Sequence, residues 1–239
     1  MRVKAANLTK KTNVIKWRSH EPSRIETFSD AVFAFALTLI IVSLEVPKSF
    51  DELVETMKGT LSFAVCFALL FNIWNSQNIF FRRYGLKDEY TITLNAILLF
   101  IVLIYTYPLK FLFVSLFSQG KYMLHGHEMH MILPNQKPSL MVIYGIGFTA
   151  IYMLFYLMYR RAQKMADDLK LTPEELFESK TFANINILCA GIGILSITTA
   201  LLLPLNVVGA SGYVYFLIPV VYSTWFSYRG KKRRRLFAS

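Results

Sequence analysis

An all-α integral membrane protein with six transmembrane helices and both termini in the cytoplasm is the fold this sequence predicts, on three observations. Apolar runs of about 20 residues, the length that crosses bilayer hydrocarbon, recur along the chain. Only 17% of the 239 residues are charged and 54% are hydrophobic, where a soluble domain carries about a quarter charged. The charges gather in short stretches between the runs, and the basic ones fall almost entirely on alternate connections.

The six runs are Glu26–Val46, Met57–Phe80, Tyr90–Phe117, Leu140–Tyr159, Ile185–Leu205 and Val207–Tyr228. Residues 1–25 form a polar, basic N-terminus without a cleavable signal pattern, residues 26–228 the membrane domain, and residues 229–239 a basic tail. The third run is overlong, so it tilts or leaves the membrane near Pro108–Lys110. Only Asn206 and the Gly209–Gly212 stretch divide the last two runs, so a re-entrant hairpin is the alternative to two spans there. Cys66 and Cys189 lie within apolar runs and read as small buried hydrophobes.

Orientation follows from lysine and arginine. All but five of the 26 basic residues (Lys48, Lys58, Lys110, Lys121 and Lys137) lie in the N-terminal segment, the loops after the second and fourth runs, or the tail. The positive-inside rule makes that side cytoplasmic, and an even number of spans agrees. The net charge of +11 therefore belongs to the membrane surface. Lys231–Arg235 abuts a span and faces anionic lipid, a better reading than a nucleic-acid patch.

The first run carries unusual chemistry. Ser23 and Glu26 have capping-box spacing, and Arg24 and Asp30 sit at the membrane boundary, where an ionised group needs a partner or water. At about 100° per residue, Phe28, Ala31, Phe35, Thr38, Leu39, Val42 and Val46 share one face, with Glu26 and Asp30 directed elsewhere. Periodicity alone reads this as a lipid-facing or packed stripe with a structural ion pair.

The run Arg24-x-x-x-Phe28-Ser29-Asp30-Ala31-Val32-Phe33-Ala34-Phe35-Ala36-x-Thr38-Leu39, ending at Val46-Pro47, resembles the signature of the transmembrane protein 175 potassium-channel family, in particular its bacterial members with one six-helix repeat. Phe71-x-x-Trp74 with Gln77, then Leu94-Asn95, Leu98-Leu99-Phe100 and Tyr107-Pro108, resemble its second and third helices. The resemblance implies a homotetramer in the plasma membrane whose central pore is lined by the first helix of each subunit. It implies a potassium leak of modest selectivity, with potassium as permeant species and no cofactor. The constriction carries over to Phe35, with Leu39 and Val42 in the next rings and Thr38 as the selectivity hydroxyl. Arg24, Phe28, Ser29 and Asp30 are implied to tie the first helix to Trp74, Gln77 and Asn95. Two departures stand out. Phe35 replaces the isoleucine or leucine usual at the constriction, and Gln77 stands where histidine is usual, so acid sensing through that position is not expected.

Other fragments carry less. Tyr144-Gly145-Ile146-Gly147 and Gly212-Tyr213 lack the Thr-Val-Gly-Tyr-Gly loop of a potassium filter and read as close helix packing. His125, His127 and His130, with Glu128, lie in the outer loop from Ser118 to Ser139 at spacings that suit zinc or copper. No fourth well-defined ligand accompanies them, and no metal is expected. Thr172-Pro173-Glu174-Glu175 reads as a short surface helix with Asp167 and Asp168. No nucleotide fingerprint or nucleophile–base pair points to an enzyme. The rival readings are a six-helix secondary transporter, against which the second half repeats no first-helix signature, and a proton-conducting membrane protein.

Overall fold

The computed structural model describes residues 17–18, 21–42, 48–58, 60–117, 120–124, 127–205 and 207–237. It is mostly helical: α1 (Arg24–Val42), α2 (Phe50–Lys58), α3 (Thr60–Tyr84), α4 (Glu89–Phe117), α5 (Lys137–Lys164), α6 (Pro173–Leu202) and α7 (Leu217–Phe237). A two-stranded antiparallel hairpin, β1 (Lys121–Leu124) with β2 (His127–His130), follows α4, pairing Lys121 with His130 and Leu124 with His127. Among the described residues α3, α4, α5 and α6 are long and apolar enough to cross a membrane, and less than half of the most apolar part of each is buried within the chain. An apolar sheath of that extent is unstable in water and at home in lipid.

Where the helices begin and end follows local chemistry. Thr172 caps α6: its hydroxyl accepts from the Glu175 amide at 3.2 Å, and the Glu175 carboxylate accepts from the Thr172 amide at 3.0 Å. Nothing between Pro173 and Leu202 breaks the helix, so Thr172-Pro173-Glu174-Glu175 opens the helix that carries the fifth apolar run and is not a separate surface helix. The short helix α2 takes Met57 out of the second apolar run, whose helix α3 begins at Thr60. The last run is split: Val208–Phe216 winds as a 3-10 helix and α7 starts at Leu217. Instead of ending near Tyr228, α7 continues through the basic stretch to Phe237.

Packing is closest between α5 and α6. A Cβ built on Gly145 would stand 3.3 Å from the Gly193 carbonyl oxygen and collide with Ile197. One on Gly193 would stand 3.3 Å from the Gly145 oxygen and collide with Thr149. The two glycines let the backbones approach, the usual device where lipid supplies no hydrophobic drive between helices. Gly147 does the same against the Tyr105 ring of α4, which is held by the Tyr105 hydroxyl donating to the Tyr144 oxygen at 3.0 Å. Gly212 differs, since a Cβ there would meet nothing within 4 Å, so close packing does not explain it. Gly147→Ala is expected to cost about 1–3 kcal/mol through overpacking, read as a lower Tm in detergent. Gly191→Ala, on the same bundle but in open space, should leave Tm unchanged or slightly raised.

Cys66 and Cys189 are both buried as free thiols. The core joins Phe33, Ala36 and Ile40 of α1 to Leu70 and Phe80 of α3, Leu98 and Val102 of α4 and Phe155 and Met158 of α5. That arrangement holds α1 against the bundle by one face only.

Candidate functional site

The start of α1 is fixed by its own sequence. The Glu26 carboxylate accepts from the Ser23 amide at 3.0 Å and the Ser23 hydroxyl at 2.7 Å, which satisfies a helix end that would otherwise leave donors orphaned. Along the helix two stripes then separate. Glu26, Ser29, Phe33, Ala36 and Ile40 are buried, at spacings of three and four residues. On the opposite side Phe28 and Phe35 are 63% and 57% exposed, and Ala31 and Thr38 are exposed between and beyond them. Leu39 is half-buried on the flank of this outer stripe. The side chain of Val42, and Glu45, Val46 and Pro47, lie outside the described residues.

Polar contacts anchor the buried stripe. The Ser29 hydroxyl donates to the Ile25 oxygen at 2.8 Å and accepts from the Asn95 amide group at 2.9 Å. The Asn95 oxygen accepts from Gln77 at 3.0 Å. All three side chains are 0 to 2% exposed, so one continuous chain of hydrogen bonds joins α1, α4 and α3 where water cannot compete. A second link lies at the margin, where the Trp74 indole donates to Asp30 at 2.7 Å. Phe71 packs beside that indole, ring centroids 5.3 Å apart. Of the residues singled out from the sequence, the structure therefore brings together Ser29, Asp30, Trp74, Gln77 and Asn95. It does not bring Arg24 or Phe28 into the cluster: Arg24 is exposed without a side-chain partner among the described residues, and Phe28 belongs to the outer stripe.

Two anchors were not anticipated. Lys110 of α4 donates from Nζ to the Ile40 carbonyl oxygen at 2.9 Å, a cation at the C-terminal, negative end of the α1 dipole. Its signal was a lone lysine inside an apolar helix, which calls for a named partner by default. At the other end of the bundle Arg18 makes a two-pronged contact with Glu175 at 3.0 and 2.8 Å and donates to the Arg83 and Leu169 oxygens. Beside it Arg161 donates to Asp88 at 2.9 Å. Burial raises the proton affinity of the Asp88 carboxyl, but the Thr91 hydroxyl and the Arg161 guanidinium outweigh that and hold it below the ordinary carboxylate range. These contacts place Arg18, Arg82, Arg83 and Arg161 at one end of the bundle, and Lys110 at the other.

Of the outer-loop histidines, His127 and His130 lie in β2 and His125 lies outside the described residues. Among the described residues no group of three His, Cys, Asp or Glu side chains is placed to hold a metal ion.

What the arrangement offers is an apolar stripe with one hydroxyl, on a helix held rigidly from behind. The Thr38 hydroxyl donates to the Ala34 oxygen at 2.9 Å. Its proton is thereby used, and its oxygen lone pairs are left to face outward.

Comparison with known proteins places these features. Residues 24–108 match the family described as endosomal/lysosomal potassium channel TMEM175. A potassium channel of Marivirga tractuosa is 40% identical over 232 residues, covering 92% of each chain. One from Chamaesiphon minutus is 28% identical over 152 residues, 59% of this chain and 66% of that one. Among solved structures, the crystal structure of the potassium channel MtTMEM175, T38A variant, bound to a nanobody–MBP fusion, superposes with a TM-score of 0.78 at 37% identity, covering 92% of this chain and 98% of that one. The fold is also that of a lysosomal potassium-selective channel TMEM175 homolog from Chamaesiphon minutus, at a TM-score of 0.57 and 20% identity over 87% of this chain and 99% of that one.

Proposed function

The chain belongs to the TMEM175 potassium-channel family, and from that premise we propose that it is a homotetrameric potassium leak channel whose pore is walled by four copies of α1. It is a membrane channel and not an enzyme. In this reading the apolar runs make six spans in the plasma membrane, with the arginine-rich end of the bundle and both termini in the cytoplasm.

The observation that carries the proposal is the division of α1 into opposed stripes. A helix fixed by a buried polar chain on one side, with Phe28, Phe35 and Thr38 bare on the other, is built to present that bare side to copies of itself. Around a fourfold axis the Phe35 side chains form the narrowest ring, with Leu39 and Val42 next along the helix and Thr38 as the nearest hydroxyl. Such a ring withholds replacement ligands from a hydrated ion and gates by dewetting. When it widens, a partly hydrated cation passes, and discrimination rests on how readily each ion sheds water beside the Thr38 oxygens. With four hydroxyls as the only added ligands, selectivity for potassium over sodium is modest.

The test is a planar-bilayer recording of purified protein with potassium opposite sodium. Current that follows the potassium gradient without saturation or coupling agrees with the proposal, and obligatory coupling to a second ion contradicts it. In the same recordings Thr38→Ala is expected to lower the potassium-to-sodium permeability ratio by about two- to tenfold, since about 0.4–1.4 kcal/mol of differential barrier is lost. Expression and Tm should stay as in the parent, because among the described residues that hydroxyl hydrogen-bonds only within its own helix.

A further inference from the structure

The basic residues of α7 fall into two sets, one turned to α6 and one turned away from it. Arg229 and Arg233, one helical turn apart, point at α6. The Arg229 Nε donates to the Thr181 hydroxyl at 2.8 Å and its Nη2 to the Phe177 oxygen at 2.9 Å, with the guanidinium 3.7 Å above the Phe177 ring. Arg233 pairs with Glu174 at 2.8 Å and Glu178 at 3.3 Å. Beside them the Trp225 indole donates to the Thr181 oxygen at 3.1 Å. These contacts use up the inward cations and explain why the helix persists through a run of like charge.

On the wheel Lys231 stands about 160° from both Arg229 and Arg233, Arg234 and Arg235 about 100–160° from them, and Lys232 about 60–100°. All four are exposed, and none has a hydrogen-bond or ion-pair partner among the described residues. The same outward line carries Thr224 and Tyr228, the latter 58% exposed. Read along the axis, that side passes from the exposed Leu217 and Val220 through Thr224 to Tyr228 and then to cations, an order that matches a membrane interface of acyl chains, aromatic belt and phosphates.

We propose that Lys231, Lys232, Arg234 and Arg235 form a docking surface for the headgroups of anionic phospholipids in the cytoplasmic leaflet, with Tyr228 seated at the headgroup boundary. The surface rests on the placement of the last span given above. It holds α7 in register with the membrane from outside, while Arg229 and Arg233 hold it to α6 from inside, so leaflet charge acts on a helix bonded to the same cytoplasmic end as Glu175 and Arg18. Unpaired cations beside a negative surface attract without the desolvation that a buried pair requires.

The experiment uses the full-length protein in vesicles, with Tyr228→Cys carrying a fluorophore; the native cysteines are buried. Phosphatidylcholine or phosphatidylglycerol, each brominated on the acyl chain, is supplied at equal mole fraction. Brominated phosphatidylglycerol is expected to quench more, equivalent to an enrichment on the order of fivefold, about what one cation near an anionic surface provides. The excess should vanish in 1 M salt, and in the variant Lys231→Gln, Lys232→Gln, Arg234→Gln, Arg235→Gln, while quenching by brominated phosphatidylcholine remains. Equal quenching by both lipids, or an excess that survives in the quadruple variant, overturns the lipid surface but leaves the span in place. No quenching by either lipid overturns the span and the surface together.

Discussion

Phe35→Ala is expected to raise single-channel conductance by on the order of tenfold, as removal of about 1.4 kcal/mol from a permeation barrier would, and to bring the permeabilities of potassium, sodium and caesium closer together. The reasoning is steric and hydrational. In the proposed tetramer four phenyl rings meet around an axis and exclude water, and ions wait on dewetting fluctuations. A methyl group in the same place leaves a wetted passage in which ions keep their shells. The substitution is also informative because it leaves the subunit fold intact. Phe35 is more than half exposed in the single chain, so truncation removes little packing. Phe33, two residues away and 3% exposed, is the counterpart: Phe33→Ala should cost about 3–5 kcal/mol of stability and leave the conductance of the surviving channels unchanged. Unaltered currents in Phe35→Ala would reject the constriction.

The second large effect is expected at Asn95. Its oxygen accepts from Gln77 and its nitrogen donates to Ser29, with both partners sealed from water. Asn95→Ala leaves a Gln77 donor and the Ser29 hydroxyl each without that partner, and an unmet buried polar group costs about 1–3 kcal/mol. In hydrocarbon part of this is recovered when side chains find substitutes. A loss of about 2 kcal/mol, seen as a lower Tm and a smaller yield of assembled channel, is the outcome expected. Asp30→Ala removes only the acceptor of Trp74 at an exposed margin, so it should harm assembly by a smaller amount. If the two variants behave alike, the polar chain through Asn95 is not what fixes α1.

Why α1 was readable in advance while other parts were not is a matter of sequence distance. Its cap needs only Ser23 and Glu26, three residues apart, and its two stripes repeat at helical spacing, so both were legible from periodicity. The link from Ser29 to Asn95 and Gln77 spans three helices. Residue chemistry alone gave no way to pair them, and only the resemblance brought them together. Lys110 and Ile40 are separated by the whole of α2 and α3, and a lysine's partner in a bundle is set by packing that no local pattern encodes. Arg24 and Phe28 show the converse. The resemblance groups them with the polar residues, whereas both side chains stand exposed outside that cluster. At the C-terminus, the last apolar run ends at Tyr228, and the six basic residues in the next seven positions read as a separate basic tail. The carboxylates and carbonyls of α6 neutralise its inward face, which extends the helix to Phe237.

The surroundings of the exposed stripe of α1 decide the mechanism. The most direct measurement places single cysteines at Phe35, Thr38 and Leu39, and at Phe100 and Ile104 on the outer side of α4, and follows current during application of a charged, water-soluble thiol reagent. Modification at 35 and 38 that changes the current, with no response at 100 and 104, is the predicted result. A conducting protein whose cysteines at 35, 38 and 39 stay unreactive would contradict the pore assigned to α1.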